Sequence, residues 1–258
     1  MPTPPAKFVW YELMTTDIDA ASAFYGSVAG WTSERWSGDD FQYIMAKASD
    51  RPVAGLMTIP QEAEAAGLRP AWVGYIYADD VDAAIERVAK AGGRVHRTPT
   101  DIPDIGRFSV LADPQGAMFM LFTPEGTAAP TLPPMTPGDI GWRELYASDW
   151  TAAFDFYSSQ FGWTKVDEMD MGGELGTYLL FATGGSDAVG GMMTKPAEVP
   201  HPAWLYYFNV AGIDAAVERV KANDGQVLNG PMEVPGGAFI VQCRDPQGAM
   251  FALVGPRG

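Results

Sequence analysis

The hydrophobic pattern changes period along the chain. Phe8 to Thr15 is a run of aromatic and apolar residues and predicts a strand. Asp17 follows as a candidate N-cap. Ile18, Ala21, Tyr25 and Val28 then fall at helical spacing until Gly30 ends the helix. Strand-like segments come next at 41–46, 53–59 and 72–78. Asp79-Asp80 opens a second helix with Val81, Ala84, Ile85 and Val88 on one face, and Gly92-Gly93 closes it. Segments 94–96, 108–112 and 117–122 read as the last strands of the series, and the same order restarts at Trp142.

That restart is a repeat at an offset of 132 residues. Trp10, Glu12 and Asp17 match Trp142, Glu144 and Asp149; Gly30-Trp31-Thr32 matches Gly162-Trp163-Thr164. Glu86-Arg87-Val88 matches Glu218-Arg219-Val220, and the run from Asp113 to Phe119 recurs unchanged from Asp245 to Phe251. Between the repeats, 123–138 carries five prolines, which block helix and central strand and predict an extended linker. The expected organisation is therefore a first domain at 1–126, a linker at 127–138 and a second domain at 139–258. The expected class is α+β, with paired βαβββ modules in each domain.

Composition narrows the function classes. Lys plus Arg is 17 against 32 for Asp plus Glu, a net charge of −15. With no basic cluster evident in the sequence, neither nucleic acid nor an anionic membrane is expected as a partner. No apolar run approaches a membrane span and no secretory signal is evident, so a cytoplasmic protein is expected, as monomer or homodimer. Cys243 is the sole cysteine, which excludes an internal disulfide and a cysteine-rich metal site. Only His96 and His201 are available for histidine chemistry, and both read as surface residues. Cys243, with no histidine neighbour in sequence, reads as a lone buried or half-buried thiol, and Trp31 and Trp163 read as core. Gly172-Gly173, Gly184-Gly185 and Gly190-Gly191 read as hairpin turns, because no Lys-Ser or Lys-Thr follows to make a phosphate loop.

A strand, Asp and helix ending Phe-Tyr…Gly-Trp, an Asp-Asp-Val-Asp-Ala-Ala helix start, and Asp-Pro-Gln-Gly before a last strand occur in that order. This arrangement resembles the vicinal oxygen chelate superfamily of glyoxalases, bleomycin-resistance proteins and extradiol dioxygenases, and it does so twice. The resemblance implies sheets that curl into a cup holding metal and ligand. It also places the metal-ligand positions at Trp10, Val73 and Met120, and at Trp142, Leu205 and Ala252. None of these side chains offers the nitrogen or oxygen that zinc, nickel, manganese or iron requires. No cofactor and no divalent metal are therefore expected.

Alternation along the same strands brings further residues to the cup face. In the first repeat these are Glu12, Met14, Tyr75, Tyr77, Met118 and Phe122. In the second they are Glu144, Tyr146, Tyr207, Asn209 and Met250, with Val254. An aromatic and methionine lining suits a flat, apolar small molecule. Glu12 and Glu144 stand out. A carboxylate among aromatics is costly unless hydrogen-bonded, and a raised pKa would make it a usable acid or base. Two readings stay open for them: catalytic groups, or structural carboxylates held by partners such as Tyr75 and Tyr207. The function expected is metal-independent binding of a hydrophobic or aromatic molecule. The alternatives are a metal-dependent glyoxalase or dioxygenase, and a metal-free acid–base enzyme using Glu12 or Glu144.

Overall fold

The computed structural model describes residues 5–37, 42–126, 133–173 and 175–258. In the first repeat, β1 (Phe8–Thr15), α1 (Ile18–Ala29), β2 (Thr32–Ser37), β3 (Gln42–Ala48) and β4 (Arg51–Thr58) form one βαβββ module. After a short helix, α2 (Gln61–Ala65), come β5 (Ala71–Tyr77), α3 (Val81–Lys90), β6 (Arg94–Ile102), β7 (Gly106–Ala112) and β8 (Met118–Pro124). The second repeat runs β9 (Ile140–Ala147), α4 (Trp150–Phe161), β10 (Thr164–Asp170), β11 (Thr177–Ala182) and β12 (Gly190–Thr194). It ends with β13 (Ala203–Asn209), α5 (Ile213–Ala222), β14 (Gln226–Glu233), β15 (Phe239–Arg244) and β16 (Met250–Gly255). The chain is α+β, with two eight-stranded sheets of identical order: β2-β3-β4-β1-β5-β8-β7-β6 and β10-β11-β12-β9-β13-β16-β15-β14.

Local chemistry explains the helix ends. Asp17 accepts from the Ala20 amide, Asp80 from Ala83, and Asp149 from Thr151 and Ala152. Gly30 and Gly162 adopt the left-handed conformation that ends α1 and α4. Three expectations need correction. The short strand at 94–96 is nine residues long as β6; bulges within its pairing to β7 let it continue past Pro99. Gly190-Gly191 is no turn but the start of β12, since cross-strand aromatic rings fill the space above both glycines. The segment expected as an extended linker keeps 123–124 in β8 and makes turns at 134–135 and 137–138, held by bonds between Gly138 and Asn209 and between Trp31 and Gly138. Residues 127–132, where the linker begins, lie outside the described residues.

The chain forms two compact units, and each draws on both repeats. One comprises Met1–Trp10, Val73–Pro130 and Trp142–Trp204; the other comprises Tyr11–Trp72, Thr131–Gly141 and Leu205–Gly258. In the first unit, Trp163 stacks between Tyr157 and Phe181, at 5.0 and 4.7 Å. Trp204 donates its indole hydrogen to the Tyr157 hydroxyl, which donates to buried Asp113 at 3.3 Å. In the second unit, Trp72 donates to Tyr25, which donates to buried Asp245 at 3.0 Å. The two units thus use one device: an aspartate of the Asp-Pro-Gln-Gly turn, satisfied by its own turn amides and by a tyrosine from the other repeat.

Candidate ligand-binding site

In the first unit, β9 and β12 run parallel with Glu144 opposite Gly191, and β11 pairs antiparallel with β12. The Tyr178 ring lies over Gly191, where a Cβ would overlap it. That position delivers the Tyr178 hydroxyl to Glu144 Oε2, to which it donates at 2.8 Å. Trp142, two residues before Glu144 and on the same strand face, donates its indole hydrogen to the same hydroxyl at 2.9 Å. The result is a directed chain from Trp142 through Tyr178 to Glu144. Burial, then the Glu144 charge, pushes the Tyr178 phenol well above its usual range, so it stays protonated and donating.

The face carrying this chain is buried less completely than the one behind it. Glu144, Tyr146, Tyr178 and Met193 retain 6–8% of their exposure, whereas Leu145, Leu179, Phe181 and Met192 on the opposite face retain none. The first repeat shows the same pattern. In the first unit, Val73, Tyr75, Phe108 and Met120 form a cluster with Trp10, Val110 and Phe122 packed against it. Those four core members keep 4–8%, while Ile76, Leu111, Phe119 and Leu121 keep none.

The second unit holds the counterpart of the Glu144 arrangement. Glu12 is buried and pairs in register with Gly55, and the Tyr43 hydroxyl occupies the space above Gly55. Tyr43 sits opposite Met57 as Tyr178 sits opposite Met193.

The remaining expected residues are placed as follows. Met14, Met118 and Met250 are half-buried, and Leu205 and Ala252 are buried. Tyr77 is half-buried at a strand end, where a hydrogen bond to Asp79 raises its phenol pKa. Tyr207 accepts from Gln242 at 3.2 Å. Asn209 donates its amide to the Thr136 carbonyl and packs on Gly141. Tyr178, Gly191, Tyr43, Gly55 and Phe108 were not foreseen. The signal for four of them is present but displaced: the β10–β12 region is longer than β2–β4, so the 132-residue offset no longer aligns Tyr43 with Tyr178 or Gly55 with Gly191.

The residues present do not fit a hard or borderline divalent ion. Trp10, Val73, Met120, Trp142, Leu205 and Ala252 supply no imidazole or carboxylate. Among the described residues, no group of three His, Cys, Asp or Glu side chains could hold a metal. His96 and His201 are exposed, and burial pushes the Cys243 thiol up to about 12, away from the thiolate a metal binds.

The sequence matches the model of the Glyoxalase/Bleomycin resistance protein/Dioxygenase superfamily over residues 7–121 and again over 139–253. The chain belongs to this superfamily. Among similar proteins, "Putative glyoxylase CFP32" of Mycobacterium tuberculosis is 34% identical, over 96% of this chain and 94% of its own. The anthracycline biosynthesis protein DnrV of Streptomyces peucetius is 30% identical, over 97% and 93%. Solved structures share the fold. The Mn(II)-bound glyoxalase of Novosphingobium aromaticivorans matches with a TM-score of 0.67 at 18% identity, over 100% of this chain and 84% of its own. The 2,3-dioxygenase LapB of Pseudomonas sp. KL28 matches with 0.68 at 12%, over 100% and 94%.

Proposed function

We propose that this superfamily member binds a planar, hydrophobic aromatic molecule without a metal, on the strand faces that carry Glu144 and Glu12. The observation that carries this reading is the Trp142–Tyr178–Glu144 chain, a polar anchor on an otherwise apolar, less completely buried face. A ligand ring gains contact with aromatic side chains there, while the carboxylate end fixes its orientation. The name of DnrV adds support, since an anthracycline is a planar polycyclic compound. Glu12 with Tyr43 above Gly55 supplies a second face of the same design.

A second reading uses the same residues as chemistry. A buried carboxylate held by a protonated tyrosine is equipped to move a proton to or from a bound ligand. In that reading Glu144 or Glu12 is the acid–base group.

The test is calorimetric titration of the full chain with neutral planar polycyclic aromatics, such as hydroxyanthraquinones, after removal of metals with a chelator. Saturable binding that persists in the chelator is expected. If no compound binds until nickel, zinc, manganese or ferrous iron is restored, the metal-free reading is wrong. For the second reading, Glu144→Gln and Glu12→Gln should abolish turnover of any converted ligand while binding persists.

A further inference from the structure

The two repeats carry different chemistry beside their apolar faces. In the first repeat, β6 places Arg97 opposite Val110, and its guanidinium lies 4.8 Å from the centre of the Phe108 ring. Phe108 in turn packs with Tyr75 and Met120 on the less completely buried face of β5, β7 and β8. At the matching positions the second repeat has Asn229 for Arg97, Ile240 for Phe108 and Gln242 for Val110. Arg97 is exposed and is held from one side only, by a bond from Nε to the Thr100 hydroxyl at 3.3 Å. Among the described residues no carboxylate pairs with it. Its two terminal nitrogens keep the planar fork that matches a carboxylate.

The last turn of α3 and the start of β6 also carry Arg87, Lys90 and Arg94, all exposed, with Lys90 3.8 Å from Glu86. The equivalents in the second repeat are Arg219, Ala222 and Gln226, with a single cation among them.

From this juxtaposition, exposed Arg97 stacked on Phe108 at the margin of the Tyr75–Phe108–Met120 face, we infer that the first unit selects an aromatic carboxylate. The ring packs on Tyr75, Phe108 and Met120, and the carboxylate takes the Arg97 fork. The second unit, with Asn229 and Gln242 in place of the charge, takes the neutral ligand. This inference rests on the binding reading above and adds the ligand's charge to it.

The experiment titrates the full chain with 2-naphthoate and with 2-naphthamide, which share a ring and differ in charge. We expect naphthoate to bind about tenfold more tightly, the worth of one charge-assisted hydrogen-bonded pair. Arg97→Gln should remove that advantage and leave the amide unchanged, and Arg97→Lys should restore only part of it. Equal affinities for the two probes, with Arg97→Gln affecting neither, would overturn the carboxylate assignment and leave the binding reading standing. Binding of neither probe would overturn the binding reading together with the assignment.

Discussion

Gly191→Ala is a small change with a large expected effect. Gly191 is not among the glycines with a left-handed backbone, so alanine fits its conformation. The added methyl would lie well inside 3.0 Å of the Tyr178 ring and hydroxyl, a separation real Cβ atoms do not show. The ring must swing away, and the bonds at 2.9 Å from Trp142 and 2.8 Å to Glu144 are lost with it. Overpacking and two lost hydrogen bonds, offset by the smaller backbone entropy of alanine, sum to about 2–4 kcal/mol. For a chain of this size that lowers the melting temperature by about 5–15 °C. The control is the same substitution in a Tyr178→Ala background. With no ring above residue 191, Gly191→Ala should be neutral or stabilising by about 0.5 kcal/mol. Thermal unfolding followed by circular dichroism gives all four corners of the cycle. An equal cost in both backgrounds would falsify the stacking of Tyr178 on Gly191 as the reason for glycine.

Two further predictions concern buried titratable groups. Burial, the largest cause, raises the Asp245 pKa above its ordinary 3.8, against the turn amides and Tyr25 that lower it. The folded state therefore holds its proton to higher pH than the unfolded chain, and this group's contribution to stability is lost as pH rises through the folded value. Asp245→Asn cannot titrate, so its stability relative to the parent should improve as pH rises across that window; parallel curves would refute the assignment. Cys243 is fully buried with its thiol pushed up to about 12, so iodoacetamide at pH 8 should leave the native chain unlabelled and modify one site after urea unfolding.

Much of the fold is legible because its signals are local. Asp17, Asp80 and Asp149 cap helices through their own side chains, and Gly30 and Gly162 end them through backbone freedom. Alternation alone puts Trp142 and Glu144 on one strand face. The partner of Glu144 is not legible that way. Tyr178 reaches it only because β11 lies two strands away and Gly191 between them has no side chain, which is a fact of packing. Gly190-Gly191 misleads for the same reason: a glycine pair that admits aromatic rings has the same letters as a turn. Nor can the repeat say which aspartate Tyr25 meets. Asp113 and Asp245 occupy identical heptapeptides, and only the folded chain shows that Tyr25 takes Asp245.

That exchange between repeats has a consequence for how the protein is made. The Tyr157–Asp113 tie closes a loop of 44 residues, whereas the Tyr25–Asp245 tie closes one of 220. Chain-closure entropy alone makes the longer tie dearer by about 1.4 kcal/mol. The unit containing Asp245 also needs its last segment, Leu205–Gly258, before it can exist at all. On the ribosome, Tyr11–Trp72 emerges well before Leu205–Gly258 and must wait for that segment to bury Tyr25, Trp31 and Trp72 beside Phe208. Until then it stays exposed to chaperones and proteases.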